Sequence, residues 1–290
     1  MMTRAPRQPI RLIVTDLDGT LLNSAHEVSP RTEAAIRAAQ ARGVAFTVAT
    51  GKTFPSTVAL IERFDIRLPV ICGNGTSVHA VTGEVLYEDP IPLDLAVEAV
   101  AFAAEHAMTP VVYIQGGLVA PVWDANVDEL VEHHEPAPEI VPDLVAALRN
   151  SHRPHKIIMM NQDLAKVSAF QDLLEARFAG RGQVLRSGLA SVVELLPRRV
   201  SKATALQVIL DRTGYTADET MTFGDNCNDL AMIQMAGFGV AMGNSPPDVQ
   251  DGADFVTHSN DEDGVALAVE RFVLAAQPER GFRRTTRSDS

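Results

Sequence analysis

Two aspartates near the start of the sequence have the type and spacing of catalytic or metal-binding groups. Asp16 and Asp18 lie in the stretch DLDGTLL, directly after the apolar run Ile10 to Val14. An apolar run that ends at acidic residues, Gly and Thr is typical of a buried strand leading into a turn. Because side chains alternate along a strand, both carboxylates point the same way if the chain stays extended through Leu17. Such a pair repels unless a cation lies between its members, so we expect a hard ion such as Mg²⁺, with phosphate as its companion.

A second acidic cluster lies far downstream. The stretch GDNCNDLAM, from Gly224 to Met232, follows the apolar run Met221 to Phe223. A simpler interpretation of either cluster is that Asp and Gly only terminate a strand, as they do in many surface turns. Two strand ends that both carry carboxylates favour one shared site over two unrelated turns.

Length and composition limit the kind of partner. The 290 residues are 46% hydrophobic, which is enough to bury the cores of two domains. The formal net charge is −12. Binding to nucleic acid requires clustered Lys and Arg, so this charge predicts a small-molecule partner and no nucleic acid. The basic C-terminal tail, Arg280 to Arg287, is predicted to be exposed chain with no binding role.

Cysteine usage and hydropathy predict the compartment. Cys72 and Cys227 are far apart in the sequence, so they indicate neither a disulfide framework nor a zinc site, and they fit a reducing cytoplasm. The first residues, MMTRAPRQPIRL, contain no apolar segment of a secretory signal, and no run reaches the roughly 20 apolar residues of a membrane span. We therefore predict a cytoplasmic protein that does not contact a membrane.

The two ends of the sequence show the same alternation of strands and helices. Early in the chain, apolar runs at Ile10 to Val14, Val44 to Ala49 and Val70 to Cys72 alternate with helices, one of them capped by Ser29. Late in the chain, Ser201 caps a helix, and strands and a short helix follow it. Strands that alternate with helices predict parallel βαβ units on an α/β sheet.

The middle of the chain has a different pattern, with shorter segments that prolines separate. The strand-like segments are Val111 to Ile114, Lys156 to Met160, Val184 to Arg186 and Val192 to Leu196, and the helix-like segments are Leu93 to His106 and Leu164 to Phe178. The predicted organisation is a discontinuous α/β core, residues 1–83 and 197–290, that carries an inserted α+β domain, residues 84–196.

Six stretches together resemble a known family. DLDGTLL, TVATGK, PRRVSKATAL and GDNCNDLAM resemble the four motifs of the haloacid dehalogenase-like superfamily of phosphohydrolases, and ICGNGT and SNDEDGVA also match family signatures. The similarity is to its Cof-type branch, subfamily IIB, and covers the whole core and, by order and length, the cap. The resemblance implies a Rossmann-like parallel-sheet core with a C2-type α+β cap.

The resemblance also implies catalytic roles. Asp16 corresponds to the nucleophile that forms an aspartyl-phosphate, and Asp18 to the general acid and base. Thr50 and the Gly51 amide correspond to phosphate-binding groups, and Lys202 to the lysine that offsets charge on the nucleophile and the phosphoryl group.

A Mg²⁺ site follows from the same resemblance. Asp225 corresponds to a metal ligand beside the Asp16 carboxylate and the backbone carbonyl of Asp18. Asn228 and Asp229 correspond to residues that orient Lys202 and the metal's waters, with Asn228 also near the phosphate.

At two positions the sequence departs from the branch. Lys52 replaces the usual Arg after Thr-Gly, and Asn74 lies in GNGT where NGA is usual, so both are weaker substrate-binding candidates.

The histidines and aromatic residues of the cap are not predicted to be catalytic. His133 and His134 are adjacent, and His152 and His155 flank a proline, so neither pair can chelate an ion from one helix face. Both pairs are predicted to lie on the cap surface. Tyr113 is predicted to belong to the cap core, with a substrate contact as the alternative.

The sequence thus predicts a Mg²⁺-dependent phosphatase that acts on small phosphorylated metabolites. Sugar phosphates are favoured, and flavin or pyridoxal phosphates come next. The alternatives are a sugar phosphomutase of the same superfamily and, from another class, a phospho-accepting signalling module or a binding protein. A signalling receiver would have no use for an inserted cap. The expected partner is a small phosphate ester, and the protein is expected to be a monomer or a small homo-oligomer.

Overall fold

The strands and helices below come from a computed structural model, which describes residues 5–150, 153–186 and 188–275. In chain order the strands of this part are β1 Leu12–Thr15, β2 Ala45–Val48, β3 Val70–Cys72, β4 Ser77–His79, β5 Val85–Glu88, β6 Thr109–Ile114, β7 Gly117–Ala120, β8 Glu139–Ile140, β9 Lys156–Met160, β10 Gly182–Leu185, β11 Val192–Pro197, β12 Thr220–Gly224, β13 Phe238–Ala241 and β14 Phe255–Val256. The α-helices are α1 Pro30–Ala41, α2 Val58–Phe64, α3 Leu93–Glu105, α4 Ala125–Glu132, α5 Leu144–Asn150, α6 Leu164–Phe178, α7 Lys202–Thr213, α8 Leu230–Met235, α9 Pro247–Asp251 and α10 Gly264–Val269. None of the described helices is long and apolar enough to cross a membrane.

A five-stranded parallel sheet carries the two acidic clusters. Its strand order is β14-β13-β12-β1-β2, and every neighbouring pair is parallel. The carboxyl ends of parallel strands meet at one edge, where ligands of open α/β sheets bind. Asp16 follows β1, Thr50 follows β2 and Asp225 follows β12. The sheet therefore places these residues at one edge, from three distant parts of the sequence.

Helices cover both faces of this sheet. On one face Ile13 packs in an apolar cluster with Ile36 of α1 and Val265 of α10. On the other face Val14 packs with Leu206 of α7. Because both faces are covered, every residue of β1 and of β12 is buried, including the threonines of β12.

Side-chain caps fix the starts of two predicted helices. The Ser29 hydroxyl accepts a hydrogen bond from the Thr32 amide at 3.1 Å, and Pro30 begins α1. Ser201 accepts from the Thr204 amide at 3.1 Å in a capping box, which places Lys202 in the first turn of α7. Both helix starts confirm the sequence prediction.

The pairing of β3 differs from the prediction. The strand is present, but it pairs antiparallel with β4 in a separate three-stranded sheet, β3-β4-β5. One parallel bridge, between Ala49 and Ile71, joins it to the chain after β2. The predicted parallel arrangement of β3 is therefore present only as this bridge, and the antiparallel pairing with β4 is an addition, because three apolar residues define a buried strand but not the direction of every partner.

The remaining strands form a six-stranded sheet of order β10-β11-β9-β6-β7-β8, antiparallel except between β7 and β8. Helices α3, α5 and α6 pack on one face with Ile157 and Val193, and α4 packs on the other with Ile158 and Val192. The predicted strands and helices of this region are confirmed, and β7, β8, α4 and α5 are additions to them. We call residues 84–196 the cap, and the division into a core of 1–83 and 197–290 around it remains a proposal.

His155 is the described one of three features that the sequence places on the surface. His155 is 4% exposed and its Nε2 lies 3.1 Å from Glu88 Oε2, so the prediction of a surface residue is wrong. Burial lowers the pKa of His155 despite this contact. His152 and the basic tail Arg280 to Arg287 lie outside the described residues.

Candidate active site

Lys202 links the first acidic cluster to the second. Its ammonium lies 2.7 Å from Asp16 Oδ1 and 2.6 Å from Asp229 Oδ1, and the lysine is fully buried. Burial alone would lower the pKa of Lys202, but the two carboxylates raise it. Burial and the Asp229 carboxylate raise the pKa of Asp16, and Lys202 opposes that rise. The sheet edge therefore contains a buried cation between two aspartates.

Replacing Lys202 with methionine should destabilise the fold by about 3–5 kcal/mol, because two buried carboxylates lose their counter-ion. Without Lys202, the pKa of Asp16 in the folded state rises further above its pKa in the unfolded chain. The variant therefore loses stability as pH rises from the unfolded-state pKa to the folded-state pKa of Asp16. The free energy of unfolding lost by the substitution should be larger at pH 8 than at pH 5. Chemical denaturation of both proteins at the two pH values measures it. An equal deficit at both would show that burial of charge is not its cause.

Asp225 is fixed by residues from both clusters. Its Oδ1 accepts a hydrogen bond from the Thr20 hydroxyl at 2.7 Å. Gly19 has a φ of +77°, and a Cβ there would meet Asp225 Oδ2 at 2.5 Å, so only glycine permits this approach. The backbone amide of Asp225 donates to Asp229 Oδ2 at 3.0 Å. Burial and the Asp229 carboxylate raise the pKa of Asp225 to about 6.

The carboxylates fit a divalent cation. Oxygens of Asp16, Asp225 and Asp229 all lie within 4.8 Å of one another. Asp18 is not in this group, and its Oδ1 is buried without a hydrogen-bond partner among the described residues. Burial is the main reason why the pKa values of Asp16 and Asp225 are raised, and the Asp229 carboxylate adds to it. The three carboxylates outnumber the Lys202 ammonium that contacts two of them. Oxygen ligands and excess negative charge are what Mg²⁺ requires.

Asp229 differs from the other acidic residues because both of its oxygens are occupied. Oδ1 contacts Lys202, and Oδ2 accepts from the backbone amides of Asp225 and Asn226. It therefore orients the lysine and the loop after β12, in line with its predicted role.

Asp18 and Lys52 lie beside the acidic cluster, on the side that lines the cavity and faces the cap. Lys52 Nζ is 3.4 Å from Asp18 Oδ1, and His26 Nδ1 is 3.5 Å from the same oxygen. The Lys52 ammonium also donates to the backbone carbonyl of His133 in the cap. Lys52 therefore bridges a core carboxylate and the cap, which the sequence did not indicate.

The loops after β2 and β3 pack against each other at the same edge. The hydroxyl of Thr50 is buried and accepts from the Lys52 amide at 3.1 Å. Asn74 lies beside Gly51, and its Oδ1 accepts from Asn228 Nδ2 at 2.9 Å. Asn74 is thus held between Gly51, in the loop after β2, and Asn228, in the loop after β12.

A cavity of about 300 Å³ lies between the sheet edge and the cap. Of the predicted residues, Asp16, Asp18, Gly51, Lys52, Asn74, Asp225 and Asn228 line it, whereas Thr50, Lys202 and Asp229 lie behind them. Its cap wall contains Tyr113, Leu130, His133, Glu135, Lys156, Ile158, Leu189, Val192 and Glu194. The acidic cluster therefore opens into a space large enough for a small molecule.

A comparison with known proteins assigns the family. The family described as haloacid dehalogenase-like hydrolase matches residues 13–269. This chain belongs to that family. A solved haloacid dehalogenase-like hydrolase from Bacteroides thetaiotaomicron is 31% identical, with a TM-score of 0.80 over 90% of this chain and 99% of that chain.

Curated relatives of this hydrolase include two Bacillus subtilis proteins. Phosphatase YwpJ is 30% identical, and the match covers 89% of this chain and 98% of YwpJ. 5-amino-6-(5-phospho-D-ribitylamino)uracil phosphatase YcsE is 28% identical, with coverage of 91% and 96%. The chain spans only 46% of the length of a further relative, the chloroplastic endoribonuclease YBEY of Arabidopsis thaliana, at 27% identity.

Glu135 joins the cap to the core of this hydrolase, and the sequence prediction did not include it. Its Oε2 accepts from the Thr53 hydroxyl at 2.9 Å, the Thr53 amide at 3.3 Å and the Ser56 hydroxyl at 2.8 Å. Its Oε1 accepts from the Tyr113 hydroxyl at 3.0 Å. A single glutamate after a helix in a proline-rich segment gives no sequence signal for such a contact. Glu135 holds the cap against the loop that follows Thr50.

Replacing Glu135 with alanine should raise KM about tenfold, because these donors lose their acceptor and the cap is held less firmly against the core beside the cavity. The turnover number should change less than KM, because Glu135 does not touch the carboxylate cluster. Glu132→Ala, an exposed glutamate of α4, is the matched control. Steady-state kinetics on both variants provides the measurement. An unchanged KM for Glu135→Ala would mean that this contact between cap and core does not support substrate binding.

Proposed function

We propose that this hydrolase is a Mg²⁺-dependent phosphatase of small phosphorylated metabolites that acts through an aspartyl-phosphate at Asp16. The observation that supports it most is Asp16 itself, which is ion-paired with Lys202 and opens into the cavity beside Asp18 and Asp225. Sugar phosphates are the favoured substrates, with flavin or pyridoxal phosphates next. The name of YcsE, a 5-amino-6-(5-phospho-D-ribitylamino)uracil phosphatase, supports a small phosphorylated metabolite as the substrate class.

The proposed reaction has two steps. In the first, an Asp16 carboxylate oxygen attacks phosphorus, the ester P–O bond breaks, and Asp18 gives its proton to the departing alkoxide. In the second, Asp18 takes a proton from a water molecule, whose oxygen attacks phosphorus and releases phosphate and the Asp16 carboxylate. Each step moves one proton and exchanges one P–O bond, so the enzyme returns to its initial state.

The other residues have electrostatic roles in this proposal. Asp16, Asp225 and the Asp18 carbonyl would hold the ion, which supplies positive charge that lets a carboxylate approach a phosphate dianion. Lys202 keeps Asp16 in place and offsets part of the same charge. Gly51, Lys52, Asn74 and Asn228 line the space for the phosphoryl group, and the buried Thr50 hydroxyl holds their loop through the Lys52 amide.

Hydrolysis of a chromogenic phosphate ester and of a metabolite panel, with and without Mg²⁺, tests this proposal. We expect Mg²⁺-dependent phosphate release and the highest kcat/KM for sugar phosphates. An isomeric sugar phosphate formed without free phosphate would indicate a phosphomutase. No turnover of any ester would contradict the proposal.

The cytoplasm is the proposed location of the protein. The two cysteines described are free thiols, which supports it.

A further inference from the structure

The cap wall opposite the aspartates is one face of the six-stranded sheet. Side chains alternate between the faces of a strand, so Lys156 and Ile158 of β9 share the face opposite to that of Ile157. Val192 and Glu194 of β11 share it too, in the register that pairs Glu194 with Ile158. All four residues line the cavity. The alternation thus places the Lys156 cation and the Glu194 carboxylate beside two apolar side chains on this face, Ile158 and Val192.

Lys156 and Glu194 form a buried ion pair in this wall. Lys156 Nζ donates to Glu194 Oε2 at 2.8 Å, and the two residues are 3% and 4% exposed. The ammonium also lies 4.3 Å from the centre of the Tyr113 ring. A buried ion pair stabilises a fold no better than well-packed apolar residues of the same size. Its position on a cavity is therefore better explained by recognition than by stability.

A chain of hydrogen bonds connects the pair to the phosphate-binding loops. Asn228 donates to Asn74, and Asn74 Nδ2 donates to Glu194 Oε2 at 2.9 Å. Glu194 therefore receives donors from the core and from the cap at once. A molecule held in the cavity has the phosphate-binding loops on one side and the Lys156–Glu194 pair on the other.

We propose that Lys156 and Glu194 are specificity-determining residues that select the alcohol part of the substrate through its hydroxyl groups. A hydroxyl both donates and accepts, so adjacent hydroxyls can accept from the ammonium and donate to the carboxylate. Ile158 and Val192 beside the pair contact the carbon chain. This inference rests on the proposed phosphatase function. It names the hydroxylated carbon chain of the substrate as the feature that the cap recognises.

A matched pair of substrates tests the inference on the unmodified enzyme. A pentitol phosphate and pentyl phosphate share a carbon chain and differ in their hydroxyl groups. A site that hydrogen-bonds hydroxyls rejects the analogue that lacks them strongly, so we expect kcat/KM for the pentitol ester to be at least about 100-fold higher. Equal values would overturn the inference. If neither these esters nor a chromogenic ester is hydrolysed, the proposed function itself fails.

Variants then assign the preference to the pair. In the double variant K156M/E194Q, which removes both charges and keeps similar shapes, the preference for the pentitol ester over pentyl phosphate should fall by about 100-fold. The single variant E194Q should lose part of the preference, and it serves if the double variant does not fold by circular dichroism. R177M, which breaks an exposed cap ion pair with Glu98, is the control and should keep the preference. An equal loss on both esters would assign the pair to cap structure and overturn the inference.

Discussion

Replacing Asp16 with asparagine should lower kcat by at least about a thousandfold, because an amide of nearly the same shape cannot attack phosphorus. The fold should survive, since Lys202 keeps its contact with Asp229 at 2.6 Å and the variant no longer buries the Asp16 charge. Stopped-time assays with a chromogenic ester measure the loss, and thermal melting monitors the fold.

Asp18→Asn provides the comparison for this variant. Loss of a proton-transfer group alone reduces rates by about 10²–10⁴. With p-nitrophenyl phosphate, whose leaving group needs no proton, the effect of Asp18→Asn on the first step should diminish, as measured by the initial burst of p-nitrophenol. The second step should stay slow because the base is missing, and the effect of Asp16→Asn should not diminish in either step. Retention of more than a small percentage of wild-type kcat in Asp16→Asn would exclude nucleophilic catalysis at this position.

Removal of divalent metal should lower activity at least about 100-fold, and Mg²⁺ should restore it. The reason is the uncompensated charge of Asp16 and Asp225, which a phosphate dianion would increase. Ca²⁺ should restore little, because its longer bonds and looser coordination misplace the nucleophile. Equal rates with both ions would contradict the proposed coordination.

The same site predicts a pH dependence of metal affinity. The pKa of Asp225 is raised to about 6 in the metal-free protein, and the ion requires the ionised carboxylate. Protons therefore compete with the ion below about pH 6, so the half-saturating Mg²⁺ concentration should rise as pH falls through that value. Activity titrations with Mg²⁺ across this range check the sign.

Local signals in the sequence were sufficient for much of the core. Ser29 and Ser201 cap helices because their hydroxyls satisfy first-turn amides, and such short-range hydrogen bonds depend only on neighbouring residues. The placement of Asp16 and Asp225 at one edge also followed, since parallel βαβ units leave few alternatives.

Contacts between distant segments could not be predicted in the same way. Lys156 and Glu194 meet only because β9 and β11 are neighbours in a particular register, and a one-residue slip would turn either side chain to the other face. The antiparallel pairing of β3 and the burial of His155 against Glu88 also depend on tertiary packing. Glu135 is a residue of a connecting segment, whose path no periodicity fixes.

The central claim is that phosphorus bonds covalently to Asp16 during turnover, and trapping that bond tests it directly. Enzyme mixed with a good substrate and Mg²⁺ is quenched in acid within one turnover and treated with borohydride, which reduces an acyl phosphate to an alcohol. We predict that peptide mass spectrometry will find homoserine in place of Asp16, and that samples without Mg²⁺ or with Asp16→Asn will show none. Reduction at another carboxylate, or an unmodified Asp16 peptide while phosphate is being released, would contradict the mechanism.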